Sequence, residues 1–196
     1  MAGVLTGLKD LFFAPIKEGV ENGYEKPFRI AKAMDAKVSP KTANAILYAD
    51  DGAAESTSAE GETEIELGID ALANAVYAKL LGKQVVGGGV IDAIGDTAPN
   101  GALMFRSKKS NGKYRYIVYY KGNFQLPEEE YKTQGETVEY NTPKIKGVFV
   151  HSDTVLNAEG NGIKRWIQDE DDEGVDPAVI AKWFTEVQLP TETPAP

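Results

Sequence analysis

The chain has 196 residues, 42% of them hydrophobic, enough for one domain with a sizeable core. Its 30 acidic and 21 basic side chains give a formal net charge of -9, which opposes non-specific binding to nucleic-acid phosphates. Cysteine is absent, so disulfides, thiolate nucleophiles and cysteine-ligated metals are excluded and packing alone must hold the fold.

The opening MAGVLTGLKDLFFAPI is apolar, but it lacks a basic start and carries Lys9 and Asp10 inside. It therefore reads as an N-terminal strand or arm, not as a secretion signal or a membrane span. Strands are expected at Leu8 to Ile16, Ala36 to Lys41 and Ala45 to Tyr48, where β-branched and aromatic residues lie between turn formers. Asp50 and Asp51 end the last of these and open a long polar loop, about residues 49–61, of the kind that orders on assembly. From Thr63 to Ile69 the alternation of Glu64 and Glu66 with Ile65, Leu67 and Ile69 predicts a strand with one wet and one buried face. DALANAVYAKLLG predicts a helix over about 70–81, capped by Asp70, with Leu72, Val76 and Leu80 on one face and Gly82 as the stop. Gly87 to Gly89 lack the context of a phosphate-binding loop and read as a bend or bulge.

Strands at Ala102 to Ser107 and Tyr114 to Tyr120 flank Asn111-Gly112, which predicts a hairpin with a tight primed turn. Tyr114, Tyr116, Val118 and Tyr120 then share a face. Further strands are expected at Thr137 to Asn141, Lys144 to Val150 and Ile163 to Gln168. DPAVIAKWF predicts a second helix over about 176–184, with Asp176 as the cap, Pro177 at the first position, and Val179, Ile180, Trp183 and Phe184 to bury. The proline-rich 190–196 is expected to be a flexible tail. The sum is a mainly β, α+β domain over 1–189, an antiparallel β-sandwich or partly closed barrel with one packed helix and a short C-terminal one.

No catalytic constellation emerges. A calcium loop ending at Gly52 needs oxygen ligands where Leu47 and Ala49 stand, and one starting at Asp169 has Ile180 where a bidentate glutamate belongs. The acidic run from Asp169 to Gly174 reads instead as a solvated turn. His151 is the sole histidine, with no G-x-S-x-G serine motif to serve. Paired carboxylates with Trp166, Trp183 and the tyrosines sketch a carbohydrate-active or glycan-binding β domain, a virion decoration or adhesion module, and this is the alternative reading. Tyrosines interleaved with cations in the 102–120 hairpin are the best nucleic-acid candidate, opposed by the global charge.

Charge is segregated along the chain. Between Thr42 and Ala78 there is no lysine or arginine, and Asp50, Asp51 and Glu55 fall there; between Thr97 and Pro127 there is no acid, and Arg106, Lys108, Lys109, Lys113 and Arg115 fall there. Two readings stay open: the segments face opposite ways and attract a second copy, or they neutralise each other within one fold. Those eight residues are the candidate subunit-interface residues.

Taken in order, GLKDL (7–11), AKVSPKT (36–42), LYADDGAAE (47–55), LLG (80–82), SNGKYRYIVYYKG (110–122), PEEEYKT (127–133), TPKIKG (142–147) and the DEDD, Asp-Pro and Trp-Phe signals resemble the major tail proteins of long-tailed, non-contractile bacteriophages of Gram-positive bacteria. The resemblance covers nearly all of the chain; SDTVLNAEGNGIK, between His151 and Arg165, and PTETPAP depart from it. It implies a non-enzymatic virion protein that self-assembles into stacked, hexameric rings forming the tail tube. Its partners would be copies of itself, the tape measure and the tail terminator, with DNA passing the lumen without specific binding and with no membrane, metal or cofactor. It also implies the host cytoplasm as the location before assembly.

Overall fold

The computed structural model describes residues 3–20, 22–49, 52–127, 133 and 142–190, with backbone only for 43–49 and 52–59. The fold is mainly β, 48% strand and 9% helix, sandwich-like and not a closed barrel. Strands β1 (Leu5–Pro15), β2 (Phe28–Arg29), β3 (Ala33–Ala49) and β4 (Gly52–Ile69) precede helix α1 (Asn74–Leu81). After it come β5 (Gln84–Val86), β6 (Gly89–Ile91), β7 (Gly101–Lys109), β8 (Tyr114–Phe124), β9 (Lys144–Val150), β10 (Arg165–Asp169) and helix α2 (Pro177–Lys182). An eight-stranded antiparallel sheet runs β2-β1-β7-β8-β9-β4-β3, with β10 added to β8 beside β9; β5 and β6 form a separate hairpin. The ends of that path, β2 and β3, are joined through residues 30–32 yet do not pair, so the sheet curves back on itself and stops short of closing.

Both faces of the sheet are buried, because β7 and β8 are apolar at consecutive and not only alternate positions. Leu103, Phe105, Ile117 and Tyr119 point to one cluster with Ile65, Leu67, Ile69 and Leu80 of α1. Ala102, Met104, Tyr116, Val118 and Tyr120 point to the other, where Val155, Trp183 and Val187 of the C-terminal segment cover them. The expected common face of Tyr114, Tyr116, Val118 and Tyr120 is this second one. In β1, Leu8 and Leu11 lie three residues apart yet serve the same cluster. A bulge between Lys9 and Phe12 permits it, with Asp10 at φ 57°, a left-handed conformation that aspartate tolerates better than most residues.

Several sequence expectations need correction. The strands read at Ala36 to Lys41 and Ala45 to Tyr48 are one strand, β3, and 52–61 of the expected loop is strand, pairing with β3 through to Ala49↔Gly52. Asp70 does not cap α1. Its carboxylate instead accepts from the Lys32 and Ala71 amides at 3.0 and 2.8 Å, which ties the end of β4 to the link between β2 and β3, and α1 begins four residues later. Gly82 does end α1, in the left-handed conformation. Asn111 does not take a positive φ: Gly112 alone does, closing a turn through its amide to the Lys109 carbonyl at 3.0 Å. The two-residue primed turn is found instead between β5 and β6, where Gly87 and Gly88 have φ 60° and 84°. Asp176 caps α2 as expected, accepting from the Ala178 amide at 2.8 Å. The expected strand at Thr137 to Asn141 and the tail after Pro190 lie outside the described residues. No helix among the described residues is long and apolar enough to cross a membrane.

Candidate functional site

Two features of the fold concern the candidate interface residues: a hairpin arm and a charged clamp. The arm arises because β4 outlasts its support. β9 pairs with β4 only from Thr63 to Gly68, whereas β3 and β4 pair with each other on to Ala49 and Gly52. A register shift between Pro40 and Thr42 marks the point of departure. Beyond it, among the described residues, 42–49 and 52–60 pair only with each other, so both outer edges of a two-stranded ribbon are open.

An isolated ribbon of two strands is marginal in water. The edge of β3 is also unevenly guarded. Its in-sheet half carries Asp35, Lys37, Lys41 and Pro40, which has no N–H, and charges and proline are the residues that discourage edge pairing. The distal half, ANAILYA (43–49), has neither. Asp50 and Asp51 lie outside the described residues, and Glu55 falls where only the backbone is described.

The clamp holds most of the basic candidates within the chain. Lys109, 1% exposed, places its ammonium 3.0 Å from Asp169 and against Asp171. Arg115 grips the same Asp169 with two nitrogens, at 2.5 and 2.8 Å. Lys113 lies 3.3 Å from Glu170, whose other oxygen accepts from the Tyr114 amide at 3.0 Å. Asn111 donates to Asp171 at 2.8 Å. Arg115 foremost, with Lys109 behind it, holds the Asp169 carboxyl down at about 2 against the opposing effect of burial. Asp171 is lowered too, mainly by Lys109. The run from Asp169 is a turn whose residues Asp171 to Gly174 are exposed, as expected, but its first residue is 6% exposed and pins the β7–β8 turn to the end of β10. Asp169, Asp171 and Asp172 bring carboxylate oxygens within 4.8 Å of one another, but two of the three are already neutralised by Lys109 and Arg115.

Arg106 binds Asp10 of the β1 bulge through two nitrogens, at 2.7 and 2.6 Å, and lies over the Tyr114 ring at 4.4 Å. Lys108 alone of the basic candidates is exposed and without an ion pair among the described residues. The acidic segment is answered by lysines outside the basic one. Lys41 bridges Glu62 and Glu64 at 2.7 and 2.6 Å, Lys144 meets Glu66 at 2.9 Å, and Lys164 meets Glu60. Among the described residues, the ion pairs of both segments are made within the fold, and none joins one segment to the other. A charge pattern along a chain carries no signal of this, since the partners lie from 21 to 104 residues away and only the strand order brings them close.

Among the described residues the tryptophans form no open platform. Trp183 is fully buried and packs at a tilt against Trp166 and Tyr116, at 5.2 and 5.3 Å between ring centres. No protein-family model and no curated protein matches the chain.

Proposed function

We propose that this chain is a structural protein that self-assembles into stacked rings forming the tail tube of a long-tailed bacteriophage. The observation that carries the reading is the arm: a long, unguarded, apolar strand edge, open among the described residues, on a fold whose two core faces are covered and whose acidic and basic segments find most of their ion-pair partners internally. The order and spacing of the motifs that resemble tail tube proteins supply the class of assembly. An edge of eight residues offers about eight backbone hydrogen bonds, each contributing about 1 kcal/mol net. Association itself costs several kcal/mol or more, so one arm gives weak pairing and a closed ring, in which every copy both gives and receives, gives strong pairing.

Charge does not drive assembly in this reading, because the clamp and the Lys41, Lys144 and Lys164 contacts use the opposite charges inside each subunit. Electron microscopy of the concentrated protein tests it. The wild-type chain is expected to form rings or hollow tubes, and the double substitution Ile46→Lys, Leu47→Lys is expected to abolish them while leaving the unfolding transition in place. Tubes of normal yield from that variant would overturn the role of the arm.

A further inference from the structure

The arm leaves the sheet at a defined place, and one buried cation stands there. Lys164 lies between β9 and β10 and is 6% exposed. Its backbone is fixed on the central strand, since its carbonyl accepts from the Tyr120 amide at 3.0 Å. Its ammonium reaches two groups among the described residues: the Glu60 carboxylate and, at 3.1 Å, the Gly61 carbonyl. Those two residues are the root of the arm. Thr63 is the last position of β4 supported by β9, and the register shift of the β3–β4 pairing falls opposite Gly61 and Glu62. Gly61 itself sits against Lys41, with room for a Cβ only at 3.2 Å from that carbonyl.

We propose that Lys164 is the positioning residue of the arm, fixing the angle at which the 42–60 ribbon leaves the sheet by gripping its root from the segment between β9 and β10. A buried ammonium is retained only where its hydrogen bonds are met, and the groups that meet it here belong to the ribbon root. Lys164 foremost holds the Glu60 carboxyl below its usual range, with His151 and Arg165 adding to it. Lys41 offers a second brace on the same turn of chain, to Glu62 and Glu64, but its side chain is 53% exposed and its pairs lie in solvent. Exposed pairs contribute little, so the two lysines are predicted to differ. The ribbon is about 26 Å long at about 3.3 Å per residue, so a swing of about 15° at the root carries its tip about 7 Å. The device belongs to the isolated chain and does not depend on the tube reading.

The absence of cysteine allows clean labelling. Spin labels on Ala53→Cys near the far end of the ribbon and Ala75→Cys on α1, in the full chain at a concentration too low for assembly, report the angle as a distance distribution by pulsed electron paramagnetic resonance. Lys164→Met is expected to shift or broaden the distribution by about 5 Å or more, on the lever estimated above. Glu60→Ala should do so to a lesser extent, and Lys41→Met should leave it in place. An unchanged distribution in a folded Lys164→Met chain, or an equal change in Lys41→Met, overturns the proposal. If Lys164→Met does not fold, Glu60→Ala decides: a moved distribution supports the latch and an unmoved one overturns it. Neither outcome touches whether the protein forms tubes.

Discussion

Trp183→Ala is expected to lower the unfolding free energy by about 4 kcal/mol, in the range for emptying a buried indole site. The residue is fully buried between Trp166 and Tyr116, and it anchors a helix, α2, that has no buried residue of its own within Pro177–Lys182. Losing it uncouples the C-terminal segment from the second face of the sheet, where Met104, Val118 and Tyr120 would meet water. The indole N–H has no hydrogen-bond partner among the described residues. Trp183→Phe therefore sacrifices packing volume and no hydrogen bond, and should cost less than half as much. Urea unfolding followed by Trp166 fluorescence measures both, because Trp183 is the only other tryptophan. A midpoint for Trp183→Ala equal to that of the wild type would refute the anchoring role.

Asp169→Ala is expected to cost about 2 kcal/mol, because it removes both hydrogen bonds of Arg115 and leaves the buried Lys109 with Asp171 as its remaining partner, so the charge of the site is under-compensated. The same carboxylate gives the fold a sign in acid. Its pKa in the folded chain is about 2 against an ordinary value of 3.8, so the unfolded chain binds the proton first as pH falls. The stability it contributes is complete above about pH 4 and is lost as pH falls towards 2. Asp171, Glu60, Glu66 and Asp153 are lowered in the same direction, Glu66 by Lys144 and Asp153 by Lys121, and add to the trend. Urea midpoints taken from pH 5 to pH 2 should fall for the wild type. The gap between wild type and Asp169→Asn should narrow over the same interval, and a constant gap would remove Asp169 from the account.

Local periodicity made much of this legible. Ile65, Leu67 and Ile69 alternate with glutamates and are buried as expected, and Asp176-Pro177 announced α2 because cap and first-turn chemistry act over four residues. The hairpin at 102–120 was visible, but its turn type was not: Asn111 can adopt a positive φ and does not, since Gly112 alone closes the loop. The 49–61 stretch read as a loop because Gly, Ala, Ser and Glu have low strand propensity. Its pairing with β3 is decided by the partner strand, which propensity does not see. The break read between Lys41 and Ala45 is the same effect in β3, where a bulge next to Pro40 interrupts the pattern without ending the strand. The clamp was illegible for a different reason. Lys109 and Asp169 are 60 residues apart, and nothing local distinguishes the buried lysine from exposed Lys108 next to it. Only the addition of β10 to β8 brings the acidic run over the β7–β8 turn.

Amide hydrogen exchange of residues 43–49, compared between dilute and concentrated protein, tests the open edge most directly. In the dilute chain the amides of this strand that point away from β4 should exchange fast, and in concentrated samples they should become protected together with the appearance of rings or tubes. Exchange at 43–49 that is the same at both concentrations, in samples where the chain has assembled, would show that copies join through some other surface.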